Sequence, residues 1–462
     1  MTNKGGKPKI RGGSGDARKA ALEVLFEWSK RGGTVDRILW KKCGLLTDTR
    51  DQSLVRTMIY GVLQQRAALD YILEQFARQP LPRYKRIVRY ALRIGLYQLL
   101  YLDRVPAHAA IHETVAALKN CGQPPQIAGL VNGVLRNILR SKEQGDWHPL
   151  SSAPPEVRLN HPAWLVDRWL QRYGEQETER LCRSNNSPPP LVLRVNTRKI
   201  DLDSYLSLLR AAGIEAEKGK FAPEAVRLLE SGGGPERLPG FQEGYFQVQD
   251  EGAQLISYLL GPLMTGRCLD ACAGLGGKTS HLAQLLPAAT RLEAVEPSAE
   301  RRRLFKENMR RLGLPEVPLF AGTLQQLAER QEERDAYQAI LLDAPCSGLG
   351  VIRRHPEIRW NRRPQDLEKY QLQQLELLRI GASLLAPAGV LVYATCSTEP
   401  EENEEVVRAF LAETKGFVLD NAARVLPGPA RGLVTGIGCF QTTPGLQETD
   451  GFFGARLMRE KA

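Results

Sequence analysis

Three apolar runs, each ending in a short segment of turn-forming and reactive residues, constrain this chain more than any other feature. Arg267-Cys268-Leu269-Asp270-Ala271-Cys272 reads as a strand that turns through Ala273-Gly274-Leu275-Gly276-Gly277-Lys278-Thr279 into a helix. Ile340-Leu341-Leu342 leads into Asp343-Ala344-Pro345-Cys346-Ser347, and Gly389-Val390-Leu391-Val392 leads into Tyr393-Ala394-Thr395-Cys396-Ser397. Continuous apolar runs alternating with helices imply strands of an open α/β sheet, whose ligands bind beyond the carboxyl ends of the strands. The pattern places both thiols in one crevice with the glycine turn, and two thiols in one crevice suggest covalent chemistry.

Glycines at a strand-to-helix turn let backbone approach a ligand, and the exposed amides of the helix start favour an anionic group. The next strand, Leu292-Glu293-Ala294-Val295-Glu296, ends in an acid 22 residues after Gly274, where a carboxylate can grip ribose hydroxyls. A phosphate-cradling P-loop needs glycine where Cys272 stands, and the dinucleotide fingerprint needs its third glycine where Thr279 stands. The looser turn suits S-adenosylmethionine, with Lys278 placed to pair with its carboxylate.

A chain of 462 residues with 42% apolar and 25% charged content is expected to form two or three domains. No apolar stretch is long enough to span a bilayer, and Met1 to Lys9 has no apolar core of a secretion signal. Eight cysteines without a Cys-x-x-Cys pair point to reduced thiols, no metal, and a cytoplasmic, soluble protein. The net charge of +11 is unevenly spread: residues 1–150 carry 25 Lys and Arg against 12 Asp and Glu, and the rest 38 against 40. A basic module joined to a near-neutral enzyme suits a polyanionic substrate.

The periodicity predicts an all-α bundle over 1–145, with amphipathic runs at 17–26, 54–76, 87–102, 107–118 and 127–139. Arg83, Lys85, Arg86, Arg89 and Arg93 cluster at one helix start with Tyr84 and Tyr90 between them, so that phosphates would pair and bases stack. Prolines and glycines near 141–155 interrupt the helical pattern, and 146–255 reads as a linker and a small α+β RNA-binding subdomain in which Arg194 is a candidate contact. Residues 256–462 form the α/β catalytic domain. Beside Cys346, the loop carrying Arg353, Arg354, His355, Arg359 and Trp360 offers phosphate contacts and one aromatic for stacking.

A thiol pair and a methyl donor suit the C5 carbon of cytosine, which is a poor nucleophile. A thiolate added at C6 generates an enamine able to attack a sulfonium methyl. The C5 proton must then leave and the thiolate be eliminated, which gives a second thiol a task. Asp343, three residues before Cys346, is placed to hydrogen-bond the N3 edge of the ring.

The segments 270–279, 343–348 and 394–397 resemble, in order and spacing, the motifs of RNA cytosine-C5 methyltransferases, as do 353–360 and the closing Asp450-Gly451-Phe452-Phe453. The resemblance implies Cys396 as nucleophile and Cys346 as the residue that assists release. It also implies a seven-stranded Rossmann-like domain that holds S-adenosylmethionine through Cys272, Ala273, Gly274, Leu275, Gly276, Gly277, Lys278, Glu296, Thr323 and Asp343. Leu275 stands where the family usually has proline, and Thr323 where it usually has aspartate, so adenine recognition is expected to be differently arranged. The helical part is similar to NusB-like RNA-binding domains. In bacterial members that fusion implies a monomeric enzyme acting on naked small-subunit rRNA, at cytosine 967 of 16S rRNA. Another RNA as substrate, a DNA cytosine methyltransferase attacking through Cys346, and a noncatalytic antitermination protein are the alternatives at this point.

Overall fold

The computed structural model describes residues 14–145, 147–229, 234–262, 265–330 and 336–461. The opening stretch Met1 to Lys9 lies outside them. Two compact units emerge: 1–187 with 352–361, and 188–351 with 362–462.

The first unit is helical, with helices Ser14–Arg31, Asp36–Cys43, Thr49–Gln64, Arg66–Phe76, Arg86–Tyr101, Ala107–Asn120, Pro125–Glu143 and Ala163–Asn186. The single amphipathic run expected over 54–76 is two helices, broken at Gln65, whose φ of −98° and ψ of 15° leave the helical region. Gly174, at φ 74°, breaks the last helix. The core gathers Leu22, Leu25, Val62, Leu69, Leu92 and Leu135, all fully or nearly fully buried. Glycine brings helices into close approach: a Cβ at Gly61 would lie 2.0 Å from the Tyr97 ring, and one at Gly95 2.3 Å from Leu135. Three buried polar groups pair across helices, Arg18 Nε donating to Gln98 Oε1 at 3.0 Å and Gln98 Nε2 to Thr114 Oγ1 at 3.0 Å.

Segment 352–361 belongs to this unit, and it corrects the expected RNA-contacting loop. Arg359 is fully buried and donates to the Asn160 carbonyl at 2.8 Å, the Asn185 carbonyl at 2.9 Å and Asn186 Oδ1 at 2.6 Å. Trp360 donates its indole N–H to the Leu63 carbonyl at 2.7 Å and lies under the Arg66 guanidinium. Glu357 accepts the Val35 N–H, and His355 Nδ1 sits 3.3 Å from Asp36 Oδ2. Arg353 is buried, whereas Arg354 is partly exposed. A buried guanidinium must satisfy its donors inside the protein, so Arg359 and Trp360 are spent on fastening the segment. Tyr84 and Tyr90 are likewise buried and present no face for stacking bases.

The second unit contains two sheets. The smaller has four antiparallel strands, β1 (Val192–Val195), β2 (Ala216–Lys218), β3 (Ala225–Leu228) and β4 (Phe246–Val248), in the order β2-β3-β1-β4. Helix Leu202–Ala211 covers it through Tyr205 and Leu209, and Asp201 caps that helix by accepting Ser204 N–H. The larger sheet comprises β5 (Gly266–Asp270), β6 (Thr290–Val295), β7 (Leu319–Phe320), β8 (Tyr337–Asp343), β9 (Leu385–Thr395), β10 (Phe417–Asp420), β11 (Phe440–Thr442) and β12 (Phe452–Arg459). Seven run in the order β10-β12-β9-β8-β5-β6-β7, and β11 adds to β12. Strands β7 to β9 along this path are parallel, and β12 inserts antiparallel between β9 and β10. Strand order reverses between β5 and β8, which opens a crevice at their carboxyl ends. Among the described residues, no helix is long and apolar enough to cross a membrane.

Candidate active site

At the end of β5, Asp270 is buried and accepts the Thr279 hydroxyl at 2.6 Å, tying the strand to the helix Gly277–Leu285 across the glycine turn. Burial pushes its carboxyl up to about 6, with the Asp343 charge adding to the effect and the Thr279 hydrogen bond opposing it. Gly274 has φ 56° with nothing within 4 Å of where a Cβ would sit, so the turn presents bare backbone to open space. Gly276, at φ 84°, meets the opposite condition, since a Cβ there would lie 2.7 Å from Phe305. Ala273 is buried, Cys272 is half-buried with its thiol pushed up by burial, and Leu275 projects outward.

Arg194, expected to touch RNA, is fully buried on β1, a central strand with neighbours on both sides. It donates to the Gly277 carbonyl at 2.8 Å, to Ser280 Oγ at 2.7 Å and to Gln249 Oε1. Its role is to clamp the small sheet against the start of the glycine-loop helix. Burial pushes its guanidinium down to about 9.

Glu296 follows β6, is buried, and accepts Ser298 N–H at 2.7 Å. Thr323 caps helix Leu324–Glu329: its hydroxyl oxygen accepts Gln326 N–H at 3.2 Å, which leaves the O–H free to donate. An aspartate there could fill the same capping role, but would have no proton to offer.

The register of β8 against β9 sets Asp343 opposite Ala394, so the two cysteine segments leave the sheet side by side. Cys346 Sγ and Cys396 Sγ are 3.2 Å apart. The hydrogen bond with Cys396, then burial, then the charge of Glu402 all hold the Cys346 thiol well above the usual range. Lys278 Nζ donates to Asp343 Oδ2 at 2.6 Å. Burial works against that ammonium, but Asp343 and, more weakly, the Cys396 sulfur outweigh it and raise its pKa. Lys278 therefore bridges the glycine turn and the thiol pair.

Glu402 and Asn403, in the acidic run after Cys396, carry structure that sequence reasoning missed. Glu402 is fully buried and accepts Ser347 N–H at 2.7 Å, Ser397 Oγ at 2.5 Å, Gln374 Nε2 at 3.1 Å and the Ser347 hydroxyl. Each serine directly follows a cysteine of the pair, so one carboxylate fastens both loops. Asn403 accepts the Thr395 hydroxyl at 2.6 Å and donates to the Ser397 carbonyl at 3.0 Å. The closing segment seals the loops: Gly451 N–H donates to the Gly350 carbonyl at 2.8 Å, and Gly350 N–H to the Cys396 carbonyl at 2.9 Å. A Cβ on Gly350 would lie 2.2 Å from the Gly451 oxygen.

Residues 257–458 match the family model for 16S rRNA methyltransferase RsmB/F, 15–140 match the NusB family, and 161–233 match the ferredoxin-like domain of RsmF/B-like methyltransferases. The chain is 37% identical over 448 residues to ribosomal RNA small subunit methyltransferase B of Klebsiella pneumoniae, covering 96% of this chain and 98% of that one. It is also 37% identical to the probable ribosomal RNA small subunit methyltransferase B of Bacillus subtilis, over 94% of this chain and 97% of that one. The crystal structure of PH0851 superposes with a TM-score of 0.81 over 98% of this chain and 100% of that one, at 24% identity, a likeness of fold. A methyltransferase homologue from Pyrococcus horikoshii shares 29% identity with a TM-score of 0.56 over 66% of this chain and 97% of that one. A catalytic domain of the RsmB/F type behind a NusB-family domain, with relatives alike from end to end, means that this chain belongs to the ribosomal RNA small subunit methyltransferase B family.

Proposed function

We propose that the protein is an S-adenosylmethionine-dependent 16S rRNA methyltransferase that modifies C5 of a cytosine, cytosine 967 by family analogy, through a covalent Cys396–C6 adduct. The observation that carries the chemistry is the 3.2 Å approach of Cys346 and Cys396 beside the Lys278–Asp343 pair. The relatives' names support the substrate, and the basic NusB-family domain supports RNA as the polyanion. Naked rRNA in the cytoplasm and a monomeric enzyme remain part of this reading by family resemblance.

The residues present fit an adenosyl cofactor. Gly274 offers backbone with open space, Glu296 is a buried acid one strand away, and Thr323 keeps a hydroxyl proton. When bound, S-adenosylmethionine supplies the methyl group. Lys278 and Asp343 would orient its polar end and the cytosine edge respectively.

Cys396 gives up its proton to solvent and its sulfur forms a bond to C6, as the C5–C6 π electron pair moves to C5. Negative charge at Cys396 lies in the field of Lys278, and Asp343, ion-paired with Lys278, would orient the ring by accepting from the amine on its N3 edge. After C5 is methylated, its proton passes to water, the C5–H electron pair re-forms the C5–C6 double bond, and the S–C6 bond breaks with its pair leaving on sulfur. Cys346 is the thiol nearest to that leaving sulfur, so resolution of the adduct falls to it. A thiol held protonated by Cys396, burial and Glu402 is poorly suited to attack, which weighs against a DNA-type mechanism through Cys346.

The test mixes Cys346→Ala protein with small-subunit rRNA and S-adenosylmethionine. A protein–RNA adduct that survives denaturation, and disappears when Cys396→Ala is added, is expected. Undiminished methylation by Cys396→Ala would overturn the covalent role of Cys396, and methylation of a different RNA in preference would overturn the substrate.

A further inference from the structure

Four arginines of the helical unit converge on one cleft of about 200 Å³: Arg66, Arg86, Arg89 and Arg93, with Trp28 and Asn361 among the other lining residues. Among the described residues, one carboxylate is paired with them. Asp70 accepts from Arg93 Nε at 2.6 Å and Nη2 at 2.8 Å, and lies 3.9 Å from Arg66. That bidentate pair holds Arg93, which is buried, as part of the wall. Arg66 is laid over the Trp360 ring with its guanidinium 5.0 Å from the centroid. Arg86 reaches across to donate to the Ser29 carbonyl at 2.9 Å. Arg89 is half-buried, and its Nε is shielded from solvent with no hydrogen-bond partner.

Crowding cations without matching acids is unfavourable unless an anion completes the site. Burial, and after it the charge of Arg93, pulls the Arg66 guanidinium below its ordinary value, with Arg89 adding a smaller push in the same direction. Fixed guanidinium forks with free N–H donors match the oxygens of a phosphate better than those of a halide or a lone carboxylate. Trp28 and Tyr90, the aromatic side chains that line the cleft, are buried, so it offers no platform for a base. The recognition is of backbone and not of sequence.

We propose that this cleft is a phosphate-binding site that takes a backbone phosphate of the RNA substrate between Arg86, Arg89 and Arg66. The proposal rests on the RNA-modifying reading above and adds where the helical unit grips the strand. It places Asn361, at the end of the segment fastened by Arg359 and Trp360, on the rim of the same cleft.

The experiment measures KM and Kd for a small-subunit rRNA fragment as a function of salt, using the full chain and the variants Arg89→Gln, Arg89→Lys, Arg86→Gln/Arg89→Gln and Arg50→Gln. Arg50 is an almost fully exposed cation of the same unit, outside the cleft. The slope of log Kd against log salt is expected to fall by about 1 for Arg89→Gln and about 2 for the double variant, and KM to rise with it. Arg50→Gln and Arg89→Lys separate loss of a charge in general from loss of the fork, and thermal melting checks the fold. A second arm uses inorganic phosphate as competitor at constant ionic strength, with the melting shift it produces as an independent readout. Unchanged slope and KM in the double variant would overturn the RNA assignment. If phosphate still stabilised the wild type but not that variant, the cleft would hold free phosphate instead, and no phosphate effect on either would overturn the site. Wild-type protein that binds RNA with the expected slopes but methylates none would leave the cleft standing and remove the enzymatic reading.

Discussion

Cys346 and Cys396, fifty residues apart in the chain, bring their sulfurs to 3.2 Å because β8 and β9 are adjacent and end in register. Two thiols at this separation are also a redox couple. A mild thiol oxidant such as diamide is expected to take up two electrons and two protons and join the sulfurs, leaving no thiolate for attack on a base. Methylation should fall with oxidant and return with dithiothreitol, and intact-mass analysis should show a bond lost in Cys346→Ala. Full activity in protein whose two sulfurs are joined would refute the nucleophile assignment.

Glu402 is expected to matter for both stability and turnover. Glu402→Ala strips the acceptor from two serine hydroxyls, one backbone N–H and Gln374, at a cost of about 3 kcal/mol in urea unfolding. Because Ser347 and Ser397 then lose their common anchor, kcat should drop more than KM rises. Glu402→Gln, which keeps one acceptor oxygen, should recover part of both losses. Unaltered kcat in the alanine variant would show that the loops are held in place without the carboxylate.

Arg359→Ala tests the reassignment of that residue from RNA contact to internal brace. Two backbone carbonyls and the Asn186 side chain lose their donor, so stability should fall by roughly 2–4 kcal/mol. The salt slope of RNA binding, measured on the folded fraction, should not change. A reduced slope at unaltered stability would return Arg359 to the RNA surface.

Asp270 and His281 predict a hidden pH dependence. Burial raises Asp270 from 3.8 to about 6, so its contribution to stability is present below 3.8 and lost as pH rises through 6. Burial, then the charge of Arg194, lowers His281 from 6.5 to about 4, so its contribution is present above 6.5 and lost as pH falls through 4. The two oppose each other across the same window. Asp270→Asn removes the first and should make stability rise with pH more steeply than in the wild type, by about 2 kcal/mol between pH 4 and 6. Urea midpoints at several pH values measure this, and parallel curves for the two proteins would contradict it.

The catalytic sheet was legible because its strands are buried on both faces and read as unbroken apolar runs, and because glycine, lysine and cysteine follow them at fixed offsets. Arg194 and Arg359 were misread for one shared reason. An arginine is usually exposed, and nothing local distinguishes one that satisfies backbone carbonyls distant in sequence. Arg194 did carry a signal, since Val192, Leu193 and Val195 flank it in a strand without polar alternation. Glu402 lay hidden in Glu399-Pro400-Glu401-Glu402-Asn403-Glu404-Glu405, which resembles a solvated acidic run. Only packing separates the buried Glu399, Glu402 and Asn403 from their partly exposed neighbours. The assignment of 352–361 to the helical unit was not legible at all, because it depends on partners such as Val35 and Leu63 roughly three hundred residues earlier.

Strand β12 pairs with the strand that carries Cys396, and the Gly451–Gly350 contact just before it closes the loop between the two thiols. During synthesis, β5, the glycine turn and both cysteines are made before β12. A nascent chain that has reached Gly451 already contains every candidate catalytic residue, yet β9 still has an open edge and the thiol loops lack their seal. The last strand to be made therefore completes both the edge of β9 and the seal over the two cysteine loops.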